Sequence, residues 1–434
     1  MATDRTIPVI YEFSSFYCQQ EESYDREDDR RYTLRKKENF VEKLKSKGKE
    51  YPGMTPKAAI NIYGHLLSPF EKKEIKNFPS VYCLPDENNE APEDAIEKKW
   101  FWRDDDDYKL VPGEHIDYRF KIEKIVGGFD SGKVAYATDA KTKQKVAIKV
   151  MSQSAKQMYK SCHALMKIGD NDPDGIRNCV RLLHFDTFRD AHYLVMERYD
   201  TDLKRYMNEK YPEGMPLDAI ARCGNEMLHA LEYLAFLEII HGDIKPNSFL
   251  LNRNAPFRVI LADFTLARPH FQAENRHIKC QTMNYRAPES FLFRMERCSS
   301  DMWAFGCVLA EMLTNVVFFI GANAHDQFYL YLEVLGIPPD DFFVRKDTAT
   351  FFYSTLDKVP THVTSRNGKE VVDLESSFAA RRRKLPGKTP LKTFFRGEEK
   401  ADLFDVISKM LKWMPRERIT PAEAKKHAFF NTYH

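Results

Sequence analysis

The run His241-Gly242-Asp243-Ile244-Lys245-Pro246-Asn247-Ser248-Phe249-Leu250-Leu251 constrains this chain more than any other stretch. It reads as a short polar loop that ends in a buried strand. Asp243 and Lys245 project from the loop two residues apart. A carboxylate there can accept a hydroxyl proton, and an ammonium beside it can steady a transferred phosphoryl group. An isolated Asp-x-Lys describes a solvated loop as readily as a site. The ordered stretches on either side give it chemical meaning.

At 434 residues the chain has room for two or three packed units, and 43% apolar residues allow a sizeable core. The 66 basic and 64 acidic side chains nearly cancel, which excludes a nucleic-acid partner held by bulk charge. The 8 cysteines are scattered with no Cys-x-x-Cys, as in a reduced intracellular protein without a structural zinc. No apolar signal core or membrane-length run occurs. The expectation is a soluble cytoplasmic or nuclear protein that meets protein partners or protein substrates and neither nucleic acid nor membrane.

Residues 1–50 pair a β-prone start with a long charged stretch and read as a disordered extension or a helix held by a partner. From residue 51 the pattern changes. Thr55-Pro56 is an N-cap followed by proline at the first helical position. Ala59, Ile60, Tyr63, Leu66 and Leu67 then fall on one helical face. Ser68-Pro69-Phe70-Glu71 opens a second helix with capping-box spacing. An acidic, turn-rich connector follows, and Trp100-Phe101-Trp102 within it needs a surface to pack on.

Period-two alternation begins at Tyr118, Phe120 and Ile122, with further short strands over 133–137 and 145–150, so an antiparallel sheet is expected. Gly127-Gly128-Phe129-Asp130-Ser131-Gly132-Lys133-Val134 lies between the first two strands, and Val146-Ala147-Ile148-Lys149 follows. Far downstream come Leu261-Ala262-Asp263-Phe264-Thr265, Tyr285-Arg286-Ala287-Pro288-Glu289 and Asp301-Met302-Trp303-Ala304-Phe305-Gly306. In this order and spacing the runs resemble the glycine-rich loop, the strand lysine, the His-Arg-Asp loop, the Asp-Phe-Gly segment and the end of the activation segment of protein kinases. The stretch from Met54 through Phe70-Glu71 to Val81-Tyr82 is similar to the homology box of the dual-specificity tyrosine-regulated (DYRK) kinases.

The resemblance implies an α+β, bilobal kinase fold. A small antiparallel N-lobe sheet with one helix would span 115–197, and a mostly helical C-lobe 200–434. An accessory region over 51–114 would precede them. It implies ATP and Mg2+ as cofactors. Asp243 would be the catalytic base and Lys245 its companion. Gly127 and Gly132 would frame the phosphates, and Val134, Ala147 and Leu250 would sandwich adenine. Lys149 would pair with the α and β phosphates, and Met196 would guard the back of the pocket. Backbone groups of Glu197 and Tyr199 would bond adenine, Asp202 would lie near the ribose, and Asp263 would hold the metal with Ser248. Leu165, His241 and Phe264 would stack. Asp301 would bond the catalytic-loop backbone, and Glu289 would pair with Arg418.

The chain departs from the family pattern at several points. Phe129 replaces the central loop glycine, Gly242 the catalytic-loop arginine, Ser248 the metal-binding asparagine and Thr265 the glycine after Phe264. No Asp or Glu occurs from Val150 to Gly169, and Ser161 stands where the family's helix glutamate pairs with the lysine. Lys149 is expected to pair with Asp263 instead. Thr265, being β-branched, would resist a positive φ. The Tyr-x-Tyr pair of DYRK activation segments reads His277 and Lys279, so no phosphate can form there. The basic run 381–384 reads as a solvated face, with a docking patch or nuclear address as alternatives. Three functions remain open: an impaired kinase homologue acting by partner binding, a working Ser/Thr or dual-specificity kinase, and a structural module whose pocket Phe129 fills.

Overall fold

The computed structural model describes residues 51–87, 97, 101–103, 108–129, 132–151, 155–253, 257–270, 281–291, 297–339, 342, 363–366, 369–372 and 384–432. For 128, 129, 155–159, 325, 363–366 and 369–372 it describes the backbone alone. The readings made above for residues 1–50, the Phe129 side chain, His277, Lys279 and the basic run 381–383 lie outside these residues. The chain divides into two compact units, one of residues 1–170 and 181–198, the other of 171–180 and 199–434.

The first unit opens with two short helices, α1 (Pro56–Tyr63) and α2 (Pro69–Glu74). Both start as their sequences dictate. The Thr55 side chain accepts from the Ala58 amide at 3.2 Å. The Ser68 hydroxyl accepts from the Glu71 amide while Glu71 Oε2 accepts from the Ser68 amide at 3.0 Å, closing the capping box. Ala59, Leu66 and Leu67 are buried as expected, but Tyr63 is exposed. The α-helix ends at Tyr63 and a 3-10 turn runs over Gly64–Leu66, so Leu66 and Leu67 reach the core from beyond the helix and do not share a helical face with Tyr63.

Six strands follow: β1 (His115–Ile116), β2 (Phe120–Phe129), β3 (Gly132–Asp139), β4 (Lys145–Met151), β5 (Leu182–Phe188) and β6 (Ala191–Glu197). They form one antiparallel sheet in the order β1-β2-β3-β4-β6-β5. Helix α3 (Ala155–Asn171) is inserted between β4 and β5. Gly132 has φ +126°, and a Cβ there would fall 2.2 Å from the Val150 carbonyl oxygen, so only glycine fits this start of β3.

One residue at the β5–β6 hairpin ties the sheet to α2. Arg189 takes φ +52° in the turn and is buried. Its Nη2 reaches Glu71 Oε1 at 2.9 Å and Glu74 Oε2 at 2.7 Å. Its guanidinium lies 3.5 Å from the Phe101 ring centroid and 4.5 Å from that of Phe188. The Trp102 indole donates to the Arg189 carbonyl at 3.0 Å. Phe101 and Trp102 of the connector thus pack on the seam between α2 and the sheet, while Trp100 lies outside the described residues.

The second unit is mostly helical. Its strands are short: β7 (Thr201–Asp202), β8 (Ile239–Ile240), β9 (Phe249–Leu251), β10 (Val259–Leu261) and β11 (Arg268–Pro269), with a separate hairpin of β12 (Val363–Arg366) and β13 (Lys369–Val372). The helices are α4 (Leu203–Lys210), α5 (Leu217–Phe236), α6 (Pro288–Phe291), α7 (Cys298–Thr314), α8 (Ala324–Leu335), α9 (Ala401–Met410), α10 (Pro421–Lys425) and α11 (Ala428–Thr432). Helix α7 is buried from Ser300 to Met312 on every side, as a helix apolar all round must be. It packs against α5 and α9 and forms the floor beneath the loop that follows β8. Among the described residues no helix is long and apolar enough to cross a membrane.

Candidate active site

In the second unit the loop 241–248 is fixed from below by one buried carboxylate. Asp301 Oδ2 accepts from the His241 amide at 2.8 Å, and Oδ1 from the Gly242 amide at 3.0 Å, as the sequence implied. Burial pushes the Asp301 carboxyl up, and His241 with these two amides pulls it back. His241 Nδ1 accepts from the Asp243 amide at 3.2 Å, so Nε2 carries the ring proton toward the Ala262 carbonyl, 2.9 Å away. The His241 and Phe264 rings meet edge to face at 5.0 Å, the expected stacking between these two. Leu165 is buried within the first unit.

Asp243 is held on both carboxylate oxygens. Oδ1 accepts from the Thr282 amide at 2.8 Å and the Thr282 hydroxyl at 2.7 Å, and Oδ2 from the Lys245 ammonium. Lys245 also donates to the Thr282 hydroxyl oxygen at 3.0 Å. Carboxylate and ammonium therefore converge on one hydroxyl, 37 residues beyond Lys245. Sequence reading missed Thr282, because nothing local marks it out from the run around it. The arrangement can orient a substrate hydroxyl and accept its proton.

Ser248 is fully buried and donates to the Asp243 carbonyl at 2.7 Å, which leaves its lone pairs as its contribution to any cation. The Ala262 amide donates to the Ser248 carbonyl at 2.8 Å, so Asp263 begins one residue beyond a bond to Ser248. Asp263 adopts the left-handed conformation, φ +62° and ψ +60°. A non-glycine residue held there costs of order 1 kcal/mol and clusters at functional sites. The Thr265 hydroxyl donates to Asp263 Oδ1 at 2.6 Å. Thr265 sits in a 3-10 turn with negative φ, so the strain expected at Thr265 falls on Asp263 instead.

Asp202 and Leu250 are cross-strand partners on β7 and β9. Asp202 Oδ1 caps α4 by accepting from the Arg205 amide at 3.0 Å, and it also accepts from the Asn247 side chain at 3.2 Å. Tyr199 lies just before β7.

The other candidates sit together on the sheet of the first unit. Gly127 is opposite Val134, Val134 opposite Lys149, and Ala147 opposite Met196. Ala147 and Lys149, two apart on β4, share one face. Lys149 is buried. The Glu197 amide donates to the Arg181 carbonyl at 3.3 Å, and the Glu197 side chain pairs with Arg181. Ser161, the residue in the family glutamate's place on α3, is buried.

Gly242 has an observable reason to lack a side chain. It takes φ +79°, and a Cβ there would lie 2.7 Å from Nη1 of Arg268. Arg268, buried on β11, pairs with β8 and donates to the Leu266 carbonyl at 3.1 Å. An arginine is thus present behind the loop, supplied by a different strand. Restoring the family arginine with Gly242→Arg is expected to destabilise the protein by about 2–3 kcal/mol, from the positive φ and overpacking. Urea unfolding checks this.

A family model described as protein kinase domain matches residues 120–430. The chain belongs to the protein kinase family. Within that family its likeness runs to the dual-specificity tyrosine-phosphorylation-regulated kinases. It is 28% identical over 402 residues to dual specificity tyrosine-phosphorylation-regulated kinase 3 of Homo sapiens, covering 89% of this chain and 66% of that protein. It is 32% identical over 372 residues to serine/threonine-protein kinase ppk5 of Schizosaccharomyces pombe, covering 84% of this chain and 42% of that protein. The kinase mbk-2 of Caenorhabditis elegans is 28% identical over 386 residues, with 86% and 46% covered. The chain therefore spans about two thirds of the first of these relatives and under half of the other two.

Proposed function

We propose that this protein is a DYRK-like kinase homologue impaired in phosphoryl transfer, which acts by binding protein partners through its kinase-shaped surface and binds ATP weakly or not at all. The observation that carries this reading is the composition of α3. From Ala155 to Gly169 the helix offers no carboxylate, and by the family resemblance the buried Ser161 takes the place of the one that would steady Lys149. An ammonium not oriented by a helix carboxylate aligns phosphates less well, and alignment is most of what such enzymes contribute. Asp263 and the Ser248 hydroxyl are the residues that would hold Mg2+. One carboxylate and one neutral oxygen form a thin donor set for a hard cation. Bound there, the ion would neutralise charge on the phosphates.

A second reading, an active protein kinase with Asp243 as base, is favoured by the Asp243–Lys245–Thr282 constellation. Its substrates would be protein Ser or Thr hydroxyls with Arg and Pro nearby. Phosphoryl transfer from ATP and Mg2+ to a Ser/Thr peptide library distinguishes the two. An active enzyme loses about 10²–10⁴-fold on Asp243→Asn, the usual contribution of a general base. The impaired homologue is expected to change by less than about tenfold, because its wild-type rate already lies near background.

A further inference from the structure

The seam between α2 and the sheet holds a cluster of titratable groups that the kinase-like site does not use. Carboxylate oxygens of Glu71 and Glu114 and a ring nitrogen of His115 all lie within 4.8 Å of one another. Glu71 and His115 are buried, and Glu114 is half-buried. His115 Nδ1 accepts from the Tyr118 amide at 3.2 Å, so in the neutral ring Nε2 carries the proton. That Nε2 is buried with no hydrogen-bond partner, 3.7 Å from Glu71 Oε1. A metal ion would need the Nε2 lone pair that this tautomer lacks, and it would sit against Arg189, whose Nη2 is 2.9 Å from the same Glu71 oxygen. Both facts argue against a cation. The second Glu71 oxygen already accepts from the Ser68 amide and hydroxyl. The one small ligand left that suits two crowded carboxylates beside a guanidinium is a proton.

We propose that this cluster is a proton site: Glu114 takes up a proton when the seam closes, and α2 is held to the sheet more firmly with Glu114 protonated than with it ionised. Glu71 and Glu74 face the cluster from α2, Arg189 from the β5–β6 hairpin, His115 from β1 and Lys121 from β2, with the Tyr108 hydroxyl behind. Burial first, then the Glu71 charge, pushes the Glu114 carboxyl up to about 7, against the pull of Arg189 and Lys121. Burial also works to raise Glu71, but His115 and Arg189 outweigh it and hold that carboxyl down at about 2. The two acids are thus driven apart, Glu71 charged and Glu114 neutral.

A carboxyl raised in the folded state binds its proton more tightly there than in the unfolded chain. Its contribution to stability is undiminished below the ordinary value of 4.5, falls as pH climbs to about 7, and is flat above. His115, lowered chiefly by burial, acts in the opposite sense below its ordinary value of 6.5. The difference between a Glu114 variant and wild type isolates the first effect.

The test is thermal unfolding of the full chain between pH 5 and 8.5, wild type against Glu114→Gln, with amide hydrogen exchange followed over 68–75. The two proteins are expected to melt together near pH 5, with the variant about 5 °C above wild type by pH 8. Exchange over 68–75, corrected for its intrinsic pH dependence, should quicken with pH in wild type alone. The gap should persist in a His115→Gln background. A gap independent of pH, a variant less stable at every pH, or a gap that disappears with His115 overturns the proposal.

Discussion

Arg418→Met is expected to lower the stability of the second unit by about 3–5 kcal/mol, because it leaves the Glu289 carboxylate buried and uncompensated. The Arg418 guanidinium bonds both Glu289 oxygens, at 2.6 and 2.5 Å, and both side chains are sealed from solvent. It also donates to the Lys412 and Ser299 carbonyls at 2.9 Å each and lies 5.2 Å from the Trp303 ring. The arginine therefore ties the start of α6 to α7 and to the turn after α9. Glu289→Gln should cost less, since a neutral amide can still accept from the guanidinium. In the double variant the losses should fall short of their sum, as they do for residues sharing one network. Thermal melts monitored by tryptophan fluorescence should place Arg418→Met roughly 10 °C below wild type. Because the loop 241–248 rests on α7, any residual transfer activity should fall with it.

Arg189→Met is expected to cost the first unit a similar amount, about 3–5 kcal/mol, through a different seam. Here one guanidinium faces two glutamates, Glu71 and Glu74, and is covered by the rings of Phe101 and Phe188. Methionine fills much of the volume and keeps the contact with the rings, so the loss reports the charge rather than a cavity. Glu71→Gln in the same background should recover part of it, because the buried carboxylate is then neutral. Urea titrations of the single and double variants check both statements. If Arg189→Met loses less than about 1 kcal/mol, the pairing contributes no more than an exposed surface bridge would.

These two arginines also mark what could be read in the sequence and what could not. The pairing of Arg418 with Glu289 was legible only through the resemblance to kinases, which implied it. Arg189 was not. It lies in a short hairpin turn, 118 residues from Glu71, and no periodicity connects the two. The caps of α1 and α2 were legible because capping is local. Tyr63 was grouped with Leu66 and Leu67 because helical periodicity does not say where the α-helix ends, and it ends at Tyr63. In the candidate site, Asp243 and Lys245 stood out by spacing, and Asp301 through the resemblance to kinases. The closing partner, Thr282, did not, since it is brought in by the tertiary fold. The left-handed backbone was assigned a cost at Thr265, yet Asp263 takes that conformation and Thr265 supports it with a hydroxyl. Gly242 stood out as a departure from the family pattern with no visible reason, whereas in the structure a Cβ there would meet the buried Arg268.

The central claim is that the acceptor half of a phosphoryl-transfer site is built in this chain while the groups that align the nucleotide are thinned out. Thermal unfolding with ATP at saturating concentration, with and without Mg2+, tests it most directly. A tightly held ligand at about 100 times its dissociation constant would add about 2.7 kcal/mol. The expected result is a shift well below that, and the same with or without Mg2+. A large shift that requires Mg2+, accompanied by peptide phosphorylation that disappears in Asp243→Asn, would contradict the claim.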